Sequence, residues 1–183
     1  MKKFICICLC VVMAFSLAAC TSSSTDTPVK ETGGENTEVT QPEKEETQPA
    51  QEETFGLNET AAFSKLKFTA TELEESEGEG FFTPDEGKVF VGIKFTIENV
   101  SDEDQAVSSV ILFDGYVDDV ACSYSFSAQC VFNDGTIDGN VAPGKKLVGW
   151  YALEVPKDWK TIELHILPSW LAKDPAKFVF NKQ

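Results

Sequence analysis

The segment Lys88 to Glu98 constrains this chain more than any other stretch. Val89, Val91, Ile93, Phe95 and Ile97 alternate with Phe90, Gly92, Lys94, Thr96 and Glu98. A period of two puts one set of side chains on one face of a strand, so an extended element with an apolar side against a core is required. The same period returns upstream, where Leu66, Phe68 and Ala70 alternate with Lys65, Lys67, Thr69 and Thr71. Downstream, Tyr151, Leu153 and Val155 alternate with Trp150, Ala152 and Glu154, and Ile162, Leu164 and Ile166 with Thr161, Glu163 and His165. Shorter strands are expected at Val107–Phe113, Val117–Phe126, Cys130–Phe132 and Phe178–Phe180. Turn chemistry separates them, as in Pro84-Asp85-Glu86-Gly87, Asn133-Asp134-Gly135 (expected as a hairpin turn) and Ala142-Pro143-Gly144. Seven or eight short strands of this kind predict an all-β fold, an antiparallel β-sandwich, with a small barrel as the alternative. Between Pro168 and Pro175, Ser169 to Ala176 has room for one helical turn.

Three zones divide the chain. Residues 1–19 read as a lipoprotein signal peptide: Lys2 and Lys3, then an apolar run from Phe4 to Phe15, then small residues before Cys20. The run is short for a membrane-spanning helix. Leu17-Ala18-Ala19-Cys20 looks like a bacterial lipobox, which implies cleavage before Cys20 and its acylation. Residues 20–54 hold the acylated cysteine and an acidic linker with nine acids, two lysines, and only Val29 and Val39 as sizeable apolar side chains. That composition cannot offset the entropy of ordering, so a disordered tether is expected. Residues 55–183 carry all three Trp and all three Tyr, and have the size of one domain.

Charge excludes some functions. The chain has 30 acids against 15 basic residues, all lysine, and a net charge of −15. With no basic face, nucleic-acid binding is excluded, and direct adhesion to anionic headgroups is disfavoured. No catalytic site is legible. The single histidine, His165, sits beside Glu163 on an expected outer face, and Ser123, Ser125 and Ser127 alternate as a solvated face would. Neither a Gly-x-Ser-x-Gly elbow nor a His-Glu-x-x-His helix is present. An enzyme is therefore not expected, and no cofactor or metal is called for.

Cys122 and Cys130 remain after processing. An even pair outside the cell can form a disulfide; the other reading is two buried thiols. Glu72, Glu74, Glu75, Glu77 and Glu79 are expected in one acidic loop, and Asp102, Glu103 and Asp104 in another. Calcium could use such oxygens, but EF-hand spacing is missing, and a solvated acidic rim is the simpler account. Trp150, Trp159 and Trp170 could stack on sugar rings if exposed, or fill a core if not.

Gly87-Lys88-Val89-Phe90-Val91-Gly92-Ile93-Lys94-Phe95-Thr96-Ile97-Glu98-Asn99, followed by Ser101-Asp102, resembles the central strand and turn of a bacterial lipoprotein family of unknown function. Val141-Ala142-Pro143-Gly144, Gly149 and Val155-Pro156 resemble that family's second signature. The resemblance implies an immunoglobulin-like sandwich similar to secreted mycobacterial immunoprotective antigens, and it brings no catalytic residues. The combined expectation is a cell-membrane lipoprotein facing outward, with a non-catalytic binding or accessory module. Its partners would be the membrane, through Cys20, and a cell-envelope protein or polysaccharide. A carbohydrate-binding module and an unrecognised hydrolase are the rivals.

Overall fold

The structure, a computed structural model, describes residues 26–31 and 53–182. Among these, the strands are β1 (Val29–Glu31), β2 (Thr54–Phe55), β3 (Thr60–Ala62), β4 (Leu66–Ser76), β5 (Lys88–Asn99) and β6 (Gln105–Val107). A one-turn helix α1 (Ser109–Leu112) precedes β7 (Phe113–Val117) and β8 (Val120–Cys122). Helix α2 (Phe126–Val131) is followed by β9 (Gly139–Val141), β10 (Lys146–Pro156), β11 (Thr161–Ile166) and β12 (Ala176–Asn181). One sheet has the order β1-β3-β4-β5-β10 and the other β2-β12-β11-β7-β8, with β6 and β9 as a separate ribbon. All pairs are antiparallel except β2 with β12. This is the β-sandwich that the alternation predicts.

The core lies between the sheets. Val89, Val91, Ile93, Phe95 and Ile97 of β5 are buried, and the second sheet meets them with Phe113, Ile162, Leu164 and Phe178. Aromatic rings pin the layers together. Phe113 stacks on Tyr151 at 5.1 Å and meets Phe95 edge-on at 5.6 Å, while Phe95 meets Phe178 at 5.4 Å. Such pairs add about 0.5–1.5 kcal/mol each beyond the area they bury.

At the end of β5, Asn99 is fully buried with its amide satisfied. Its Nδ2 donates to the carbonyls of Glu103 and Val141, each at 2.7 Å. Its Oδ1 accepts from the Ser101 amide and hydroxyl at 2.9 and 2.7 Å. A buried amide costs little only when all its bonds are made, and here it ties the β5–β6 loop to β9.

Several elements differ from expectation. The acids Glu72, Glu74 and Glu75 lie on β4, not in a loop. The register shifts between Ala70 and Glu72, so a bulge at Thr71 breaks the parity and Leu73, not Glu72, turns to the core. Expected strand over Val107–Phe113 is interrupted by α1, and Phe126–Val131 is helical. Ser125 caps α2, its hydroxyl accepting from Ala128 N at 3.2 Å. Asn133-Asp134-Gly135 is the exit from that helix, not a hairpin turn. Gly135 supplies a φ of 99°, and its carbonyl accepts from Trp150 N at 3.3 Å. Ser169–Ala172 forms a single turn, and β12 begins at Ala176.

Within the segment expected as tether, Val29–Glu31 forms an edge strand, pairing Val29 with Ala62 and Glu31 with Thr60. Composition argued against order there because the segment has no core of its own. An open sheet edge and opposite charges on it, Lys67 to Glu31 at 2.8 Å and Lys30 to Glu59 at 2.7 Å, supply what the segment lacks. The Lys30 ammonium and the Gly56 amide hold the Glu59 carboxyl below its usual range.

Helix α2 covers the outer face of β5 and β10, where Phe90, Ala128, Phe132, Trp150 and Ala152 form a second buried cluster. Six residues would not hold a helix alone, so packing makes it. Burial of Phe132 contributes roughly 2–3 kcal/mol to this seat. Gly92 makes the seat possible, since a Cβ there would lie 2.8 Å from the Phe132 ring. Gly92→Val should therefore destabilise the domain by about 1–3 kcal/mol in chemical denaturation. Adding Phe132→Ala to it should recover part of that loss; two independent, additive losses would contradict this contact.

Candidate functional site

Recesses open at both ends of the sandwich, and a third, of about 270 Å³, lies beside Cys122 between β7, β8 and β10. At the end where β5 begins, the end of β4, the β10–β11 turn and β12 enclose a groove of about 610 Å³. Leu57, Leu73, Trp159 and Phe180 form its apolar walls. Glu75 supplies its polar centre, accepting from Trp159 Nε1 at 2.8 Å and pairing with Lys182 at 3.0 Å. Lys182 Nζ also donates to the Lys157 carbonyl and lies 5.2 Å from the Trp159 ring centroid. Trp159 sits in this groove wall through tertiary packing alone.

At the other end, where β5 ends in Asn99, a cleft of about 280 Å³ opens between the start of β6, α1 and the β11–β12 loop. Ser108, Ile111, Leu112, Pro168 and Trp170 line it. Of its large apolar lining residues Ile111 and Trp170 are exposed, Trp170 to 73%, and so are their chain neighbours Leu171 and Val110, the latter on the side of the recess beside Cys122. Ile111, Trp170 and Leu171 form a patch rather than the scattered exposure normal on surfaces.

The tryptophans expected to act as a stacking set are thus separated. Trp150 has the outward parity expected of it, yet it is only 4% exposed. Phe132 packs on it at 5.2 Å and Lys94 closes over the ring at 5.1 Å. Trp159 is 1% exposed. Only Trp170 among the three presents a free face. Parity within one strand could not reveal α2, which covers the outer face.

A bridge between Cys122 and Cys130 is not formed; both are free thiols. Cys122, on β8, packs against the main core and its Sγ lies 3.8 Å from the carbonyl oxygens of Ser123 and Glu154. Cys130 is on α2, a helix that sequence parity read as strand. Burial pushes the Cys122 thiol up; the neighbouring Lys88 opposes this and Glu154 adds to it. A raised thiol carries little thiolate near neutral pH, so Cys122 is a poor nucleophile. Burial also raises Tyr151 and Tyr124, which share the recess beside Cys122. His165 is half-buried, 3.3 Å from Glu163, with its ring tilted against that of Tyr116 at 4.9 Å. It does not line the recess beside Cys122.

Several of the acids are paired locally. Glu72 and Asp134 hold Lys94 at 3.4 and 3.2 Å, Glu77 holds Lys157 at 2.8 Å, and Glu103 holds Lys65 at 3.5 Å. Among the described residues, no three His, Cys, Asp or Glu side chains converge as a metal cage requires. Ser125 belongs to the α2 cap, a structural role that strand-like alternation concealed. Cys20 lies outside the described residues.

Free thiols give a direct chemical check. Mass spectrometry after alkylation without reductant should find both Cys122 and Cys130 modified in the unfolded protein. In the folded protein Cys122 should react many times more slowly than a free cysteine at pH 7–8, because its proton is harder to remove. A peptide cross-linked through the two sulfurs would contradict the free pair.

No curated protein matches this sequence. Among solved structures, an uncharacterised β-sandwich protein of Clostridium difficile 630 aligns with a TM-score of 0.50 at 16% identity. The alignment covers 78% of this chain and 100% of that one. The yjhA protein of Bacillus subtilis aligns with a TM-score of 0.52 at 19% identity, over 69% and 97% of the two chains. The ycdA protein of the same species, a candidate lipoprotein, aligns at 0.51 and 11% identity, over 64% of this chain and 36% of its own. At such identities the likeness shows the sandwich fold; the expected similarity to mycobacterial antigens is not carried by these matches. The model of one family, a domain of unknown function, matches residues 55–177, from the buried Phe55 of β2 into β12, and the chain belongs to that family, DUF4352.

Proposed function

We propose that this chain is a lipid-anchored protein of the outer membrane leaflet whose sandwich is a non-catalytic binding module. The anchor is Cys20, read from the lipobox-like Leu17-Ala18-Ala19-Cys20, and the candidate lipoprotein ycdA, which shares the fold, supports that reading. The single observation that favours binding over catalysis is the 610 Å³ groove around Glu75, Trp159 and Lys182. Its walls are apolar, its polar groups are already paired with one another, and its shape is held by two sheets. Preformed concave surfaces with a few fixed polar groups are how folds of this size hold a ligand. A cell-envelope protein segment or polysaccharide is the class of partner that such a placement would reach.

The rival reading, a sugar-binding module, rests on Trp170 alone, since Trp150 and Trp159 are consumed by packing. A hydrolase would need an activated nucleophile beside a base. Burial deactivates Cys122, and His165 is engaged by Glu163 and Tyr116.

Intact-mass analysis of the protein from membranes should give an amino-terminal Cys20 carrying a diacylglyceryl group. Cys20→Ala should release the protein from the membrane fraction, because two acyl chains are what make attachment stable. An unmodified Cys20 in a protein still cofractionating with membrane would overturn the anchor.

A further inference from the structure

The strand Val29–Glu31 determines where the chain leaves the sandwich, and that position carries a consequence for the apolar patch. β1 runs antiparallel to β3, so its amino-terminal side lies at the Ser64 end of the sheet. Asp26 is fixed there, accepting from the Ser64 amide at 3.0 Å and its hydroxyl at 2.8 Å. Six peptide links separate Asp26 from Cys20, a span of about 20 Å at full extension. Measured instead from Thr54, where the main body begins, the chain to Cys20 could span up to about 120 Å. Pairing of β1 therefore shortens the tether by most of its length.

The end at which the chain leaves is also the end that carries Trp170. Next to Ser64, the Lys65 carbonyl accepts from Val100 N at 2.9 Å, and Lys65 pairs with Glu103. Gln105 Nε2 reaches back to the Ser101 hydroxyl at 3.1 Å, and Gln105 forms one wall of the Trp170 cleft. The path from Asp26 to Trp170 is thus one continuous rim.

We propose that this rim lies on the bilayer, with Ile111, Trp170 and Leu171 seated in its interface and β1 acting as the strap that orients them. The proposal rests on the anchor at Cys20. A bilayer fits what is on the rim: tryptophan favours the headgroup level, with an apolar ring and a polar N–H, and aliphatic neighbours enter just below it. The patch is small, but a strap within about 20 Å of the acyl chains gives it a high effective concentration at the surface. Exposed Asp102, Glu103 and Asp104 on the same rim oppose anionic headgroups, so seating is firmer on zwitterionic lipid, and on anionic lipid it strengthens as salt screens the repulsion. The groove around Glu75 then faces away from the membrane, toward the envelope.

The test uses the full acylated chain on phosphatidylcholine vesicles containing bromine-labelled acyl chains, with tryptophan fluorescence as the readout. Trp150 and Trp159 are shielded, so the difference between the native protein and Trp170→Phe isolates Trp170. The expected result is quenching of the Trp170 signal by bromolipid. That quenching is lost in a strap variant, Asp26→Ala with Glu31→Lys, that still floats with the vesicles. Adding Lys67→Glu, which restores the ion pair with reversed signs, should recover much of it. Flotation without quenching in the native protein overturns the seating while leaving the anchor intact. Quenching undiminished in the strap variant overturns the role of β1. Failure to float overturns the anchor and the seating together. A Trp170 response to soluble peptidoglycan fragments with none to bromolipid would assign the patch to sugar instead.

Discussion

Burial of β5 on both faces is the constraint from which the rest of the molecule follows. An edge-to-edge partner on each side, β4 and β10, satisfies its backbone along nearly its whole length. Its inward residues demand a second sheet. Its outward residues Phe90 and Gly92 demand a cover, and α2 provides it through Phe132. Its last residue, Asn99, then stitches the following loop and β9 to the sheet end. A strand with only one buried face would need neither the helix nor the glycine. The extra layer adds a second, smaller apolar cluster to the main core between the sheets.

Much of this was legible in the sequence, and the reasons for what was not are specific. β5, β10, β11 and β12 announce themselves because undisturbed alternation survives along each of them. The strand β4 was half hidden because the bulge at Thr71 shifts parity by one, so the glutamates after it read as loop. Helix α2 was missed because six residues are too few to display a 3.6-residue period, and its Ser125 cap looked like one of several alternating serines. The strand β1 could not be seen at all. Its segment has a disordered composition, and its order comes from an edge supplied by residues about thirty positions away.

The candidate site was less visible still. Leu57, Glu75, Trp159 and Lys182 meet only because two sheets close on one another, and no local motif marks them. Trp150 and Trp159 were plausible stacking residues until Phe132, Lys94 and Glu75 covered their faces and N–H groups. Cysteine spacing suggested a staple, but a strand and a helix, rather than two neighbouring strands, carry the two thiols. Conversely, the exposure of Trp170 follows from its place in a loop bracketed by Pro168 and Pro175, which neither sheet can absorb.

The two ends of the sandwich acquire different roles in this account. One carries the strap, the acidic loop and the apolar rim; the other holds a rigid groove presented outward. What joins them is the distance between lipid and protein, which the strap makes short. Neutron reflectometry of the acylated protein on a supported bilayer measures that distance directly. Protein density should begin at the headgroups and extend for about one sandwich, a few tens of Å. A water-filled gap of many tens of Å beneath the protein layer, as an unstrapped tether would leave, would contradict it.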